Sequence, residues 1–155
     1  MSTRRESRER VMQALYAFEL GGGEAEHIMG TLIRRPLADD APSLKFAEQL
    51  FLRTLDMTAE CDSIIEEHTR NWDLSRIALI DRLVLRMGLC EMLTFEDIPP
   101  KVSINEAIEV AKKYSTGKSG QFVNGILDAA LDALTASGRL KKTGRGLVGM
   151  TMKGE

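Results

Sequence analysis

Val11, Ala14, Leu15 and Phe18 repeat at the i, i+3, i+4, i+7 spacing of one helix face, which predicts a first helix from about Thr3 to Leu20, halted by Gly21-Gly22-Gly23. A short second helix through Ile28, Leu32 and Ile33 should end ahead of Pro36, because proline disfavours helical geometry in the residue before it. Ala38 to Pro42 then reads as a loop. Ser43 is placed to cap a third helix carrying Phe46, Leu50, Leu52, Leu55 and Ala59, which continues or breaks into the pair Ile64-Ile65. Trp72-Asp73 marks a boundary. From Ser75 the run Ile77 to Ile80, Leu83 to Leu85, Met87, Leu89, Met92 and Leu93 is apolar on nearly all sides, the pattern of a central buried helix. Pro99-Pro100 closes the connection after it. Ser103-Ile104-Asn105-Glu106 has the S-x-x-E form of a capping box, opening a helix with Ile104, Ala107, Ile108 and Ala111 inward. A polar loop from Ser115 to Gly120 precedes a last helix with Phe122 or Val123, Ile126, Leu127, Ala130, Leu131 and Leu134 at core spacing, stopped by Gly138. No segment shows the alternating, β-branched pattern of a strand. The expected fold class is all-α, with about six to seven helices in one domain over residues 1–137.

Composition is consistent with that picture. The chain of 155 residues is 43% apolar and 28% charged, the balance of a globular protein with enough length to bury a core unaided. Charge interrupts every apolar run before the roughly 18 residues that would span a bilayer, and Met1-Ser2-Thr3-Arg4-Arg5-Glu6 lacks the apolar stretch of a signal peptide, so a cytoplasmic location without membrane contact is expected. Cys61 and Cys90 belong to no C-x-x-C and have no neighbouring histidine pair; they read as reduced core cysteines.

The charge distribution says more than the net charge of -2. Residues 1–10 carry +2, residues 101–121 carry +2 and residues 138–155 carry +4, which leaves -10 on the rest of the chain. An acidic body bearing three basic segments points to a polyanionic partner; the alternative is solvated helix ends and a tail. The segment 138–155, Gly-rich and basic, has too few apolar residues to pack and is expected to be disordered.

Catalytic chemistry finds no candidate. Gly117-Lys118-Ser119 resembles the end of a phosphate-binding loop, but the spacing requires glycine at 112, where Lys112 stands, and a helix rather than a strand precedes it. His27 and His68 have no companion ligand or nucleophile, and Glu66-Glu67 and Asp39-Asp40 are adjacent carboxylates that do not share a face. No metal site, cofactor or catalytic residue is therefore expected. Two features stand above this background. Arg4, Arg5, Arg8 and Arg10 are followed by Gln13 and Tyr16, and residues 5, 8/9, 12/13 and 16 share a helix face, offering guanidinium groups for phosphates and a ring for base stacking. The second is Lys112-Lys113-Tyr114 with Lys118-Ser119-Gly120-Gln121-Phe122-Val123-Asn124-Gly125, a basic loop opening onto a helix N-terminus. Their plainer readings are a core-edge aromatic and a capped turn.

Arg8-Glu9 with Gln13-Ala14-Leu15-Tyr16, Ile80-Asp81-Arg82 with Leu85-Arg86-Met87, Glu91-Met92-Leu93, Asp97-Ile98-Pro99, Ile104-Asn105-Glu106-Ala107-Ile108-Glu109 with Ala111-Lys112, and Phe122-Val123-Asn124-Gly125 together resemble the NusB transcription antitermination family over most of residues 4–135. The resemblance implies two packed helical subdomains, about 1–72 and 73–137. It also implies binding of boxA-like single-stranded RNA from the leaders of ribosomal RNA operons, jointly with the small-subunit ribosomal protein that acts as NusE, so that RNA polymerase in its antitermination complex resists termination. By similarity, Arg5, Arg8, Gln13, Tyr16, Lys118, Gln121, Phe122 and Asn124 lie at the RNA; Arg4 and Lys113, on the same two basic segments, join them. Arg82, Arg86 and Glu91 on the central helix are the expected contacts to the protein partner.

The sequence departs from the pattern in places. Glu6 interrupts the basic run, and Lys118 stands where a neutral or acidic residue is expected. The segment after Gly138 extends past the recognisable pattern. A monomer and a homodimer both remain open, and a dimer could cover the RNA face. NusB-like domains also occur fused to ribosomal RNA cytosine methyltransferases, but too few residues follow 137 for a cofactor-binding α/β domain. A purely protein-binding adaptor is the third possibility, separable from the first by RNA titration at increasing salt.

Overall fold

Seven α-helices carry the chain in the computed structural model, which describes residues 3–69 and 74–149. Helix α1 is Arg4–Gly21, opened by Thr3, whose hydroxyl accepts from the Glu6 N–H, and closed at Gly22, which takes the left-handed conformation (φ +64°) and donates its N–H to the Phe18 carbonyl. Helix α2, Ala25–Met29, runs into a wide π-helical turn at Gly30–Arg34. Helices α3 (Ala41–Asp56), α4 (Thr58–Glu67), α5 (Leu79–Thr94), α6 (Pro100–Tyr114) and α7 (Ser119–Ala136) follow, with single 3-10 turns at Leu74–Arg76 and Gly144–Leu147. No strand occurs among the described residues, as the periodicity predicts. The boundary expected at Trp72-Asp73 lies outside the described residues.

Two helix starts differ from expectation, each for a local reason. Asp40, not Ser43, caps α3: its carboxylate accepts the Ser43 N–H, and Pro42 occupies the first turn, where no amide hydrogen is needed. The apolar stretch after Phe46 breaks at Met57 into α3 and α4, one of the two outcomes its spacing allows. Ser103-x-x-Glu106 is not a capping box. Pro100 already supplies the first-turn geometry of α6, so Ser103 and Glu106 lie a turn inside the helix and are free for other partners.

Helix α5 occupies the middle, in contact with α1, α3, α4, α6 and α7. Leu83, Val84, Leu85, Met87, Leu89, Cys90 and Met92 are all buried on it. One continuous apolar cluster extends from Val11 on α1 to Leu134 on α7. Gly88 lets α7 come close, since a Cβ there would sit 2.9 Å from Leu127 Cδ1. Cys61 and Cys90 are free and buried, and burial pushes the Cys61 thiol up to about 12.

Every charged side chain that α5 carries inward has a partner, as burial of charge requires. Arg8 of α1 donates from Nε to Glu91 Oε2 at 2.8 Å and from Nη2 to Oε1 at 2.7 Å, with 3% and 1% of the two residues exposed. Ser103 of α6 donates to the same Oε1 at 2.8 Å. Arg86 forms a second two-pronged pair with Asp62 of α4, and Asp81 Oδ2 accepts from the Ser119 hydroxyl at the start of α7.

Residues 138–149, whose composition offers little apolar surface, are held mainly by polar contacts, with Leu140 packed against the core. Lys142 is buried and its Nζ donates to the carbonyls of Glu91 (3.1 Å) and Phe95 (2.8 Å), acceptors exposed by the end of α5. The Thr143 N–H donates to the Glu96 carbonyl at 2.9 Å. At Gly146 a Cβ would lie 1.9 Å from that same carbonyl oxygen, so only glycine permits this approach.

Two of the helical glycines, Gly88 and Gly125, make opposite demands. Gly88→Ala must displace Leu127 and is expected to cost about 1–3 kcal/mol. Gly125→Ala, where an added methyl meets open space on α7, should gain roughly 0.5–1 kcal/mol. Chemical denaturation of both variants checks the pair.

Candidate nucleic-acid interface

Contacts between α1 and α6 rise together in number: Arg5 meets Glu106, Glu9 meets Lys113 and Gln13 meets Tyr114, so the helices lie side by side and point the same way. Arg5 donates to both Glu106 oxygens, at 2.9 and 2.8 Å, with half of its side chain exposed. That guanidinium holds the Glu106 carboxyl below the usual carboxylate range. Lys113 Nζ lies 2.9 Å from Glu9 Oε1, which raises the ammonium above its ordinary value. The Tyr114 hydroxyl donates to the same Glu9 oxygen at 3.0 Å and accepts from Gln13 Nε2 at 3.2 Å. One turn further on, Tyr16 is 38% exposed. At the other end of α1, the Arg4 guanidinium lies 4.4 Å from the centre of the Phe46 ring.

Because Gln13 reaches Tyr114 near the end of α6, the loop 115–118 and the first turn of α7 sit at the Tyr16 end of this face. Ser119 fixes that turn: its hydroxyl donates to Asp81 and accepts the Thr116 N–H at 3.3 Å. Gly120 packs tightly on Lys112, with 3.0 Å left between a built Cβ and Lys112 Cγ. Lys118, Gln121 and Asn124 are exposed, whereas Phe122 is half-buried against the core. Among the described residues, no hydrogen bond or ion pair joins these four to α1; helix α6 holds the two segments as neighbours.

Three of the sequence-derived assignments need correction. Arg8 points inward and is consumed by Glu91, so a phosphate cannot reach it without breaking a desolvated pair. Glu91 is buried for the same reason and presents nothing to a protein partner. Arg86, 7% exposed, belongs to Asp62. Arg82, the remaining residue expected at the protein partner, is half-buried, with Nη1 donating to the Leu74 carbonyl at 3.3 Å. A charged residue on a helix that is apolar all round is an internal tie. Glu9, Glu106 and Tyr114, which stand in the sequence motifs without a role at the ligand face, are the residues that organise the exposed cations, and nothing in a single sequence announces a pairing across a hundred positions.

The NusB family model matches residues 5–132, which take in both α1 and the start of α7. The chain belongs to the NusB family. A transcription antitermination protein NusB from Salinibacter ruber is 55% identical to it, covering 97% of this chain and 94% of the relative. Among solved structures, T. maritima NusB aligns with a TM-score of 0.78 at 34% identity, over 84% of this chain and 92% of that one. A crystal structure of the antitermination factors NusB and NusE in complex with dsRNA aligns with a TM-score of 0.76 at 26% identity, over 84% and 96%. Glu106, which holds Arg5, lies within the string Ile104-Asn105-Glu106-Ala107-Ile108-Glu109, and the exposed Asn124 lies within Phe122-Val123-Asn124-Gly125.

The two arginines should separate cleanly by stability. Arg8→Ala strands the Glu91 carboxylate in the interior and is expected to cost about 3–5 kcal/mol. Arg5→Ala removes an exposed pair and should stay within about 1 kcal/mol of the parent. Thermal and urea unfolding of the two variants tests the assignment.

Proposed function

We propose that this chain is an RNA-binding antitermination factor whose ligand lies along α1 and α6 and reaches the start of α7. The observation that carries the reading is the exposed row Arg4, Arg5, Lys113 and Tyr16, which sets cations beside a stacking ring on a NusB-family scaffold. The ligand is a short boxA-like single-stranded RNA from a ribosomal RNA operon leader. The small-subunit ribosomal protein acting as NusE binds with it, and the assembly joins the antitermination complex of RNA polymerase. The solved relative that holds NusE and double-stranded RNA supports both kinds of partner. The role is one of binding rather than catalysis.

The geometry explains why such binding would be weak for the chain alone. Arg5 and Lys113 are already paired with Glu106 and Glu9, so a phosphate gains only the difference between its own attraction and the carboxylate's. Tyr16 has no such competitor, and stacking on it contributes affinity that salt does not screen. A second protein sharing the RNA converts part of the encounter into an intramolecular one. Lys118, Gln121 and Asn124 extend the surface at the Tyr16 end. Phe122, half-buried, contributes its ring edge.

Titrating RNA against the chain with and without NusE tests this. Tyr16→Ala should lose about 1–3 kcal/mol of binding free energy. Arg5→Ala should make the log–log salt dependence shallower by about 0.7, the share of one single-strand phosphate. Double-stranded RNA of the same sequence should bind less tightly. Unchanged affinity in both variants would remove the site from this face.

A further inference from the structure

The strap 138–149 ends in a place the family match, at residues 5–132, does not reach. After Lys142 docks on the end of α5, the 3-10 turn Gly144–Leu147 runs beside the start of α1. There Arg145 joins Arg4, Arg5, Asp97, Val102 and Glu106 around an open groove of about 520 Å³. Among the described residues neither Arg4 nor Arg145 has a carboxylate within ion-pair distance. Arg5 is shared with Glu106, and Asp97 is the remaining acid of the wall.

We propose that Arg145 on the strap makes this groove a second phosphate-binding stretch, which takes the RNA beyond the α1–α6 face at the amino-terminal end of α1. The inference rests on the RNA-binding reading above and extends it. Tyr16 and Arg5 are eleven residues apart on α1, about 17 Å along its axis, so a strand stacked at Tyr16 and running back past Arg5 arrives at the groove. Guanidinium groups suit it, since each can grip a phosphate with two parallel N–H bonds. Position matters as much as charge. The strap is pinned by Lys142 on two carbonyls, by Thr143 on Glu96 and by the close approach at Gly146, and these contacts hold Arg145 at the groove wall rather than on a free tail. An RNA occupant is favoured over an acidic peptide because the groove continues the face that carries Arg4, Arg5 and Tyr16.

The test compares a boxA-like RNA core with versions extended by several nucleotides at one end or the other, titrated with the full chain. One extension should raise affinity, and Arg145→Ala should abolish that gain, about threefold to tenfold, and flatten the salt dependence by about 0.7. Arg145→Lys should retain most of it. Gly146→Ala, which keeps every charge but forces the strap off the Glu96 carbonyl, should lose it as Arg145→Ala does. If Arg5→Ala and Tyr16→Ala weaken binding while Arg145→Ala leaves every extended RNA unaffected, the groove is not an RNA site and the inference falls alone. Reduced NusE binding with RNA affinity intact would overturn it in favour of an acidic protein partner. If Arg5→Ala and Tyr16→Ala also have no effect, the RNA-binding reading itself fails and takes this inference with it.

Discussion

A buried ion pair between Arg8 and Glu91 sets the rotation of α1 about its own axis. Because Arg8 turns inward with Val11, Met12 and Leu15, the residues at 5, 9, 13 and 16 are left to face α6 and solvent. The same carboxylate takes a hydrogen bond from Ser103 on α6, and the Glu91 backbone carbonyl receives Lys142 from the strap. Three separate elements are thus located by one residue of α5. Such a pair adds little net stability once desolvation is counted, but losing one member is costly, so its effect is to specify an arrangement.

The exposed face that results is largely self-neutralised. Arg5 with Glu106 and Lys113 with Glu9 keep basic segments on an acidic chain from acting as a general polyanion trap. A ligand must displace carboxylates to gain those cations, and it does so best when stacking on Tyr16 and a second protein hold it in place. Selectivity comes from geometry more than from charge.

Much of this was legible in the sequence. Apolar spacing located the helices, and the apolar girth of Ile77 to Leu93 identified the central one. The family strings marked the two segments that α6 brings together. What escaped is pairing over long distances. The run Arg4, Arg5, Arg8, Arg10 looks uniform as text, yet three residues of helix separate Arg5 at the surface from Arg8 in the core. Sequence alone makes Arg86 and Glu91 look like a docking surface, although a helix buried all round can only carry charge that is paired inside. Ser103-x-x-Glu106 matched a capping box by spelling, but Pro100 had already begun the helix. Apolar content alone predicts a disordered strap, whereas Lys142 and Thr143 bind backbone carbonyls that no composition count includes.

Arg8 serves the fold, while the adjoining face of α1, with Arg5 and Tyr16, serves the ligand. A double-mutant cycle over Arg8→Met and Glu91→Leu, with unfolding free energy and RNA affinity measured on all four proteins, tests it most directly. Each single change should be strongly destabilising, whereas the double variant should recover most of the loss and bind RNA within about threefold of the parent, since a buried pair can be replaced by apolar groups of similar volume. A double variant that folds as stably as the parent yet loses RNA binding as Tyr16→Ala does would contradict it.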